Sequence, residues 1–156
     1  MKIELNTLIY SYTGIFKIIE WLMVLILVLV LRFTFTQLFM PIDVAMTTYG
    51  TIIAYIIIVS VIIANYILGA TNSYLEFMVT GHGTILFTAV GGVNIHFYNK
   101  LCEYDEFSSW WNSLVGGNGG DIYNKMNGGS ISGPIAIGVL SIFTAAVFLA
   151  DFSLMI

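Results

Sequence analysis

Charge is what this sequence has least of. Only 9% of its 156 residues are charged and 58% are hydrophobic, against roughly 25% charged in a soluble domain. With a mean hydropathy of +0.93, the chain cannot cover itself with a wetted surface, so a bilayer is its expected solvent. Cysteine is nearly absent too. Cys102 stands alone, which excludes an intrachain disulfide and the four-span families that depend on one. There is no Asn-x-Ser/Thr sequon to mark an outer face with a glycan. The net charge of −4 is small and dispersed, so nucleic acid is not an expected partner. Gly-rich phosphate loops, Ser/His/Asp sets, Cys/His pairs and HExxH are all missing. Neither an enzyme nor a cofactor site is expected.

What the sequence has in abundance is long apolar runs. Four of them, at about 16–34, 49–68, 77–98 and 131–152, each approach the ~20 residues that a helix needs to cross the hydrocarbon core. Runs such as "WLMVLILVLVL" do not alternate as barrel strands must, and helices satisfy their own backbone in lipid. The expectation is an all-α integral membrane four-helix bundle forming one domain over 1–156. Its two loops, 35–48 and 99–130, would lie on the side opposite both termini. The first run is too long for a signal-peptide core and no cleavage site follows it, so a retained span is expected. Lys2 and Lys17 on the terminal side against Arg32, Lys100 and Lys125 on the loop side leave orientation open.

The stretch "GHGTILFTAVGGVNIHFY" is the most unusual. His82 and His96 are 14 residues apart, or about 21 Å along a helix, too far to share a metal ion whose bonds to nitrogen are roughly 2 Å long. They read as interfacial or helix-bonding residues, and no metal site is expected. Gly81, Thr84, Thr88 and Gly91 recur at three- and four-residue steps, with Gly92 alongside. Gly138, Ser141 and Ala145 form a matching stripe in the fourth run, and the second run supplies Gly50 with Ala54 and Ser60 with Ala64. Small residues let helices approach in lipid, so these ridges are expected to pack against one another.

Polar residues inside the spans are Glu20, Asn65, Asn94 and Asp151. Glu20 and Asp151 fall near the same membrane face, and Lys17 precedes Glu20 by three residues, within pairing reach. Asn65 reads as an interhelical hydrogen-bond donor. An intramembrane acid is a functional hypothesis by default, so a small proton-coupled transporter or channel using Glu20 is the alternative reading. In the long loop, Phe107, Trp110, Trp111 and Leu114 have the spacing of one helix face. That face either rests on the membrane surface or meets a partner.

Three segments carry a family resemblance. "IFKIIEWLMVLILVLVL", "YLEFMVTGHGTILFTAVGG" and "AIGVLSIFTAAVFLADF" resemble the first, third and fourth helices of MARVEL-like four-span membrane proteins. A short tail and a long second loop make the pattern similar to the smooth septate-junction members of insects. The resemblance implies a non-enzymatic organiser with cytoplasmic termini in the plasma membrane at lateral cell–cell contacts. Its partners would be membrane lipids and other junction membrane proteins, with self-association among the modes of assembly. Lys17, Glu20, Glu76 and Asp151 would be structural landmarks.

Overall fold

The computed structural model describes residues 12–33, 42–70, 72–115 and 132–156, excepting the side chains of 101–115 and of Ser132. These residues form four α-helices and no strand: α1 (Tyr12–Phe33), α2 (Ile42–Ile67), α3 (Ser73–Val115) and α4 (Ser132–Leu154). The chain is an all-α membrane helical bundle. α1, α2 and the Gly133–Leu154 part of α4 are each long and apolar enough to cross a bilayer. α3 is less apolar than the four similar runs in the sequence suggest, because threonines, histidines, glycines and Asn94 interrupt its hydrophobic residues. Two of these polar residues, Thr80 and Asn94, are fully buried, so α3 hides part of its polarity among the other helices.

Helix ends follow local chemistry. α2 starts at Ile42, inside the expected first loop, with Asp43 in its first turn where a negative charge complements the helix dipole. It closes in a Schellman motif: Gly69 takes φ +69°, Gly69 N donates to Tyr66 O at 3.2 Å, and Ala70 N donates to Asn65 O at 2.9 Å. Asn72 then caps α3 by accepting the Leu75 amide on Oδ1 at 3.3 Å. α3 runs for 43 residues, about 65 Å, twice the hydrocarbon thickness. It therefore continues through the start of the expected second loop. The backbone at Phe107, Trp110, Trp111 and Leu114 belongs to this helix rather than to a separate one, while their side chains lie outside the described residues. Residues 34–41 and 116–131 lie outside them as well.

The helices form a ring in which α1 meets α2, α2 meets α3, α3 meets α4 and α4 meets α1, with α3–α4 the most extensive interface. Two glycines account for that closeness. A Cβ on Gly91 would stand 2.6 Å from Ile142 Cγ1 and 3.0 Å from the Gly138 carbonyl oxygen. A Cβ on Gly138 would stand 2.7 Å from Ile95 Cγ1 and 3.2 Å from the Gly91 carbonyl oxygen. The centre of the ring is aromatic. Tyr55, Phe87 and Phe148 are mutually in contact, with ring centroids 5.2 to 5.6 Å apart. Gly83 gives them room, since a Cβ there would come within 2.5 Å of the Phe148 ring and 3.0 Å of Tyr55.

The α3 face turned to the ring is Thr80, Gly83, Phe87, Val90 and Asn94, with Gly91 beside it; all are buried. The expected small-residue ridge lies beside this face and meets α4 through Gly81 and Gly91, as expected, but not along its whole length. Gly81 is half-buried against the Phe152 ring and Thr84 is half-buried, but Thr88 is exposed and a Cβ on Gly92 would meet nothing within 4 Å. One residue is about 100° of helix rotation, so Gly91 touches α4 while Gly92 points away. On α4, Gly138, Ser141 and Ala145 are all buried. On α2, Gly50, Ala54 and Ala64 face outward instead, and the exposed Ser60 accepts a 2.9 Å hydrogen bond from Trp21 Nε1 of α1.

These contacts separate the glycines into two groups. Gly83→Ala, Gly91→Ala and Gly138→Ala should each lower bundle stability by about 1–3 kcal/mol through overpacking. Gly50→Ala and Gly92→Ala should leave it unchanged or raise it by up to about 1 kcal/mol through helix propensity. Equilibrium unfolding of the five variants in mixed micelles checks the split; equal losses at all five would refute the packing assignment.

Candidate functional site

The chemistry of the chain concentrates at the end of the bundle where α1 begins and α4 finishes. Lys17 lies early in α1 and its side chain is wholly buried, as are those of Glu20 and Asp151. The ammonium bonds Glu20 Oε2 at 2.9 Å, Asp151 Oδ2 at 2.6 Å and Thr80 Oγ1 at 2.7 Å. An ammonium has three protons, and here each has an acceptor. Those acceptors come from α1, α4 and α3. The Thr80 hydroxyl in turn donates to the Glu76 carbonyl at 2.7 Å, and the Phe148 ring centroid lies 5.9 Å from the Lys17 nitrogen.

A second polar tier lies towards the helix ends. Glu76, buried in the first turn of α3, accepts a 2.7 Å hydrogen bond from the Tyr66 hydroxyl. That hydroxyl is also 2.9 Å from Thr13 Oγ1. The tier thus joins α1, α2 and α3, while the inner cluster joins α1, α3 and α4. Together they connect all four helices at one level.

Two carboxylates facing one ammonium make an unbalanced set. Among the described residues Glu20 Oε1 and Asp151 Oδ1 have no hydrogen-bond partner, although both are buried. The cluster is closed, because none of its three charged side chains has any solvent-accessible surface. Burying charge is tolerated when it is paired and hydrogen-bonded, and removing one partner leaves the others uncompensated. The arrangement is therefore well suited to holding helices in register.

At the opposite end, Asn94 is fully buried and its amide donates to Thr48 Oγ1 on α2 at 2.8 Å and to the Val90 carbonyl at 2.9 Å. The interhelical role expected of Asn65 thus falls to Asn94. Asn65 is half-buried near the end of α2, where its backbone carbonyl closes the Schellman motif. His82 and His96 are both exposed, and His82 Nδ1 lies 2.9 Å from the Met78 carbonyl of its own helix. Among the described residues no group of three His, Cys, Asp or Glu side chains is placed to hold a metal ion.

Sequence reasoning brought Lys17 within reach of Glu20 and put Asp151 at the same membrane face, but did not join Lys17 to Asp151. Thr80, Thr48 and Tyr66 were missed as well. The available signal was the spacing of Glu76, Thr80, Gly83, Phe87, Val90 and Asn94, which repeats at three and four residues and so marks one helix face. Its polar members at both ends read as ordinary interface residues. Comparison of the chain with protein-family models, with curated proteins and with solved structures returns no match.

Lys17→Met strands two buried carboxylates and should cost about 3–5 kcal/mol. In the Lys17→Met/Glu20→Gln/Asp151→Asn triple variant no charge is left to strand, so much of that loss should be recovered. Unfolding in mixed micelles measures both. A triple variant no more stable than the single one would mean that the charges themselves are not what couples the helices.

Proposed function

We propose that this chain is a non-enzymatic organiser of the plasma membrane at lateral cell–cell contacts, acting by lateral assembly in the bilayer with junction membrane proteins, copies of itself included. The observation that carries the reading is the outward face of α2. Gly50, Ala54, Ile57, Val61, Ala64 and Leu68 are all exposed and follow one another at alternating steps of four and three, so they form a single seam. Its small residues permit close helix approach, which drives association where lipid tails are as apolar as the helix. The outward face of α1 is different: Ile15, Ile19, Leu22, Ile26 and Leu29 are exposed there, a large-sided surface suited to acyl chains. The closed charge cluster also fits a molecule that holds a shape rather than turns over a substrate. The MARVEL-like resemblance of the first, third and fourth helices agrees with this role and with cytoplasmic termini.

A second reading, a proton-coupled carrier using Glu20, is favoured by the unpartnered Glu20 Oε1 and Asp151 Oδ1. It is opposed by the complete burial of the cluster, which gives Glu20 no path to water in this conformation.

Gly50→Leu separates assembly from folding, because among the described residues no atom of another helix lies within 4 Å of the position its Cβ would take. The variant should keep the unfolding midpoint of the parent, lose self-association or partner cross-linking in vesicles, and spread evenly over the cell surface. Unchanged cross-linking and unchanged enrichment at contacts would remove the seam from the proposal. Proteoliposomes distinguish the carrier, since the organiser reading expects no pH-driven flux for Glu20→Gln to abolish.

A further inference from the structure

A groove separates the first turns of α2 from the outward side of α3, at the end of the bundle opposite the charge cluster. Its volume is about 450 Å³, and Asp43, His96 and Lys100 are the ionisable side chains on its wall. All three are exposed. None makes a side-chain hydrogen bond or ion pair among the described residues, although opposite charges share this one small space. The remaining wall is apolar, from Val44, Val93 and Phe97, and Gly92 forms the floor.

The groove has a direction. His96 and Lys100 are one helical turn apart on α3, and Gly92 is one turn further towards the membrane centre. Lys100 and Gly92 are therefore separated by about 12 Å along the axis. Beyond Gly92 the same face continues with the exposed residues Ala89 and Ile85. The glycine has open space where a side chain would stand, so the trough is unobstructed between its polar and apolar parts. A charged head of both signs at the membrane surface, leading into an apolar slot, is the complement of one kind of molecule.

We infer that this groove binds a zwitterionic phospholipid, with the phosphate held by Lys100 and His96, the headgroup ammonium by Asp43, and the upper acyl chain along Gly92, Ala89 and Ile85. Lys100 supplies the charge that neutralises the phosphate, and an imidazole N–H supplies a second donor. Asp43 is what selects among headgroups. It attracts an ammonium and repels a headgroup whose only charge is negative, so ethanolamine and choline lipids fit better than glycerol lipids. Free phosphate would meet the same lysine but leave the apolar slot empty and Asp43 unpaired. This site is separate from the α2 seam and stands whether or not that seam mediates assembly.

The test uses the full chain, purified from nanodiscs containing equal amounts of phosphatidylethanolamine and phosphatidylglycerol, with retained lipid quantified by mass spectrometry. The parent should retain the ethanolamine lipid in excess. Lys100→Ala and Asp43→Asn should each lower that retention about tenfold, the effect of losing one charge-assisted hydrogen bond. Gly92→Leu should lower it as well, with the unfolding midpoint unchanged. Arg32→Ala removes a basic residue at the end of α1, outside the groove, and should have no effect. Four results would overturn the inference: equal retention of both lipids; a loss with Arg32→Ala matching that with Lys100→Ala; release of the lipid by millimolar inorganic phosphate; or groove variants that alter the number of associated chains while leaving retained lipid constant, which would make the groove a protein interface.

Discussion

A single ammonium group sets the register of this bundle. Lys17 has three protons and finds three acceptors on three helices, all within a region that solvent does not reach. A lysine in hydrocarbon normally extends towards the interface; this one turns inward because two carboxylates and a threonine hydroxyl wait there. Gly83 leaves space for the Phe148 ring, and that ring packs over the ammonium. Close helix approach and charge burial therefore depend on each other. Sliding α1 by one turn, about 5.4 Å, would separate the ammonium from Thr80 and Asp151 at once.

Polar residues elsewhere follow the same economy of position. At the terminal end, the Tyr66–Glu76 contact closes the ring between α2 and α3. At the loop end, Asn94 and Thr48 join the same two helices. The middle has aromatic packing and the Gly91–Gly138 crossing. Lipid offers no hydrophobic force to push helices together, so a bundle fixed by polar contacts at both ends and by close packing between them has a definite shape. α3 contributes to every level, and this explains why it is the least apolar of the four. Its buried Glu76, Thr80 and Asn94 each meet a polar partner on another helix.

The sequence made the architecture legible because long apolar runs leave few alternatives in a bilayer. The rotation of each helix was harder to read. Gly91 and Gly92 are neighbours in sequence, yet only one touches α4, and hydropathy cannot distinguish them when every face is apolar. In water the exposed side of a helix is marked by charge; here lipid and protein interior call for the same residue types, so α2's small residues were assigned to the interior and lie outside. Glu20 and Asp151 could be placed at one membrane face from their positions in the spans. That Lys17 would reach both acids required α1 and α4 to be adjacent, and no residue spacing contains that information.

Outward surfaces follow from this inner arrangement. α1 and α4 share the inner charge cluster and turn large side chains such as Ile19, Leu22, Phe143 and Leu149 outward, a surface that any acyl chain can cover. α2 and α3 turn out glycines as well, Gly50 and Gly92, and α3 adds two histidines. Covering a shallow, partly polar surface with flexible lipid tails gains little contact and leaves imidazole nitrogens unsatisfied; a shaped occupant does better on both counts. A small-residue seam can discriminate among such occupants only if its backbone keeps its form, because van der Waals attraction falls away within an ångström of the best distance. The buried ion cluster supplies that rigidity from the opposite side of the ring. Charge held away from lipid is thus the physical condition under which an uncharged surface can be selective.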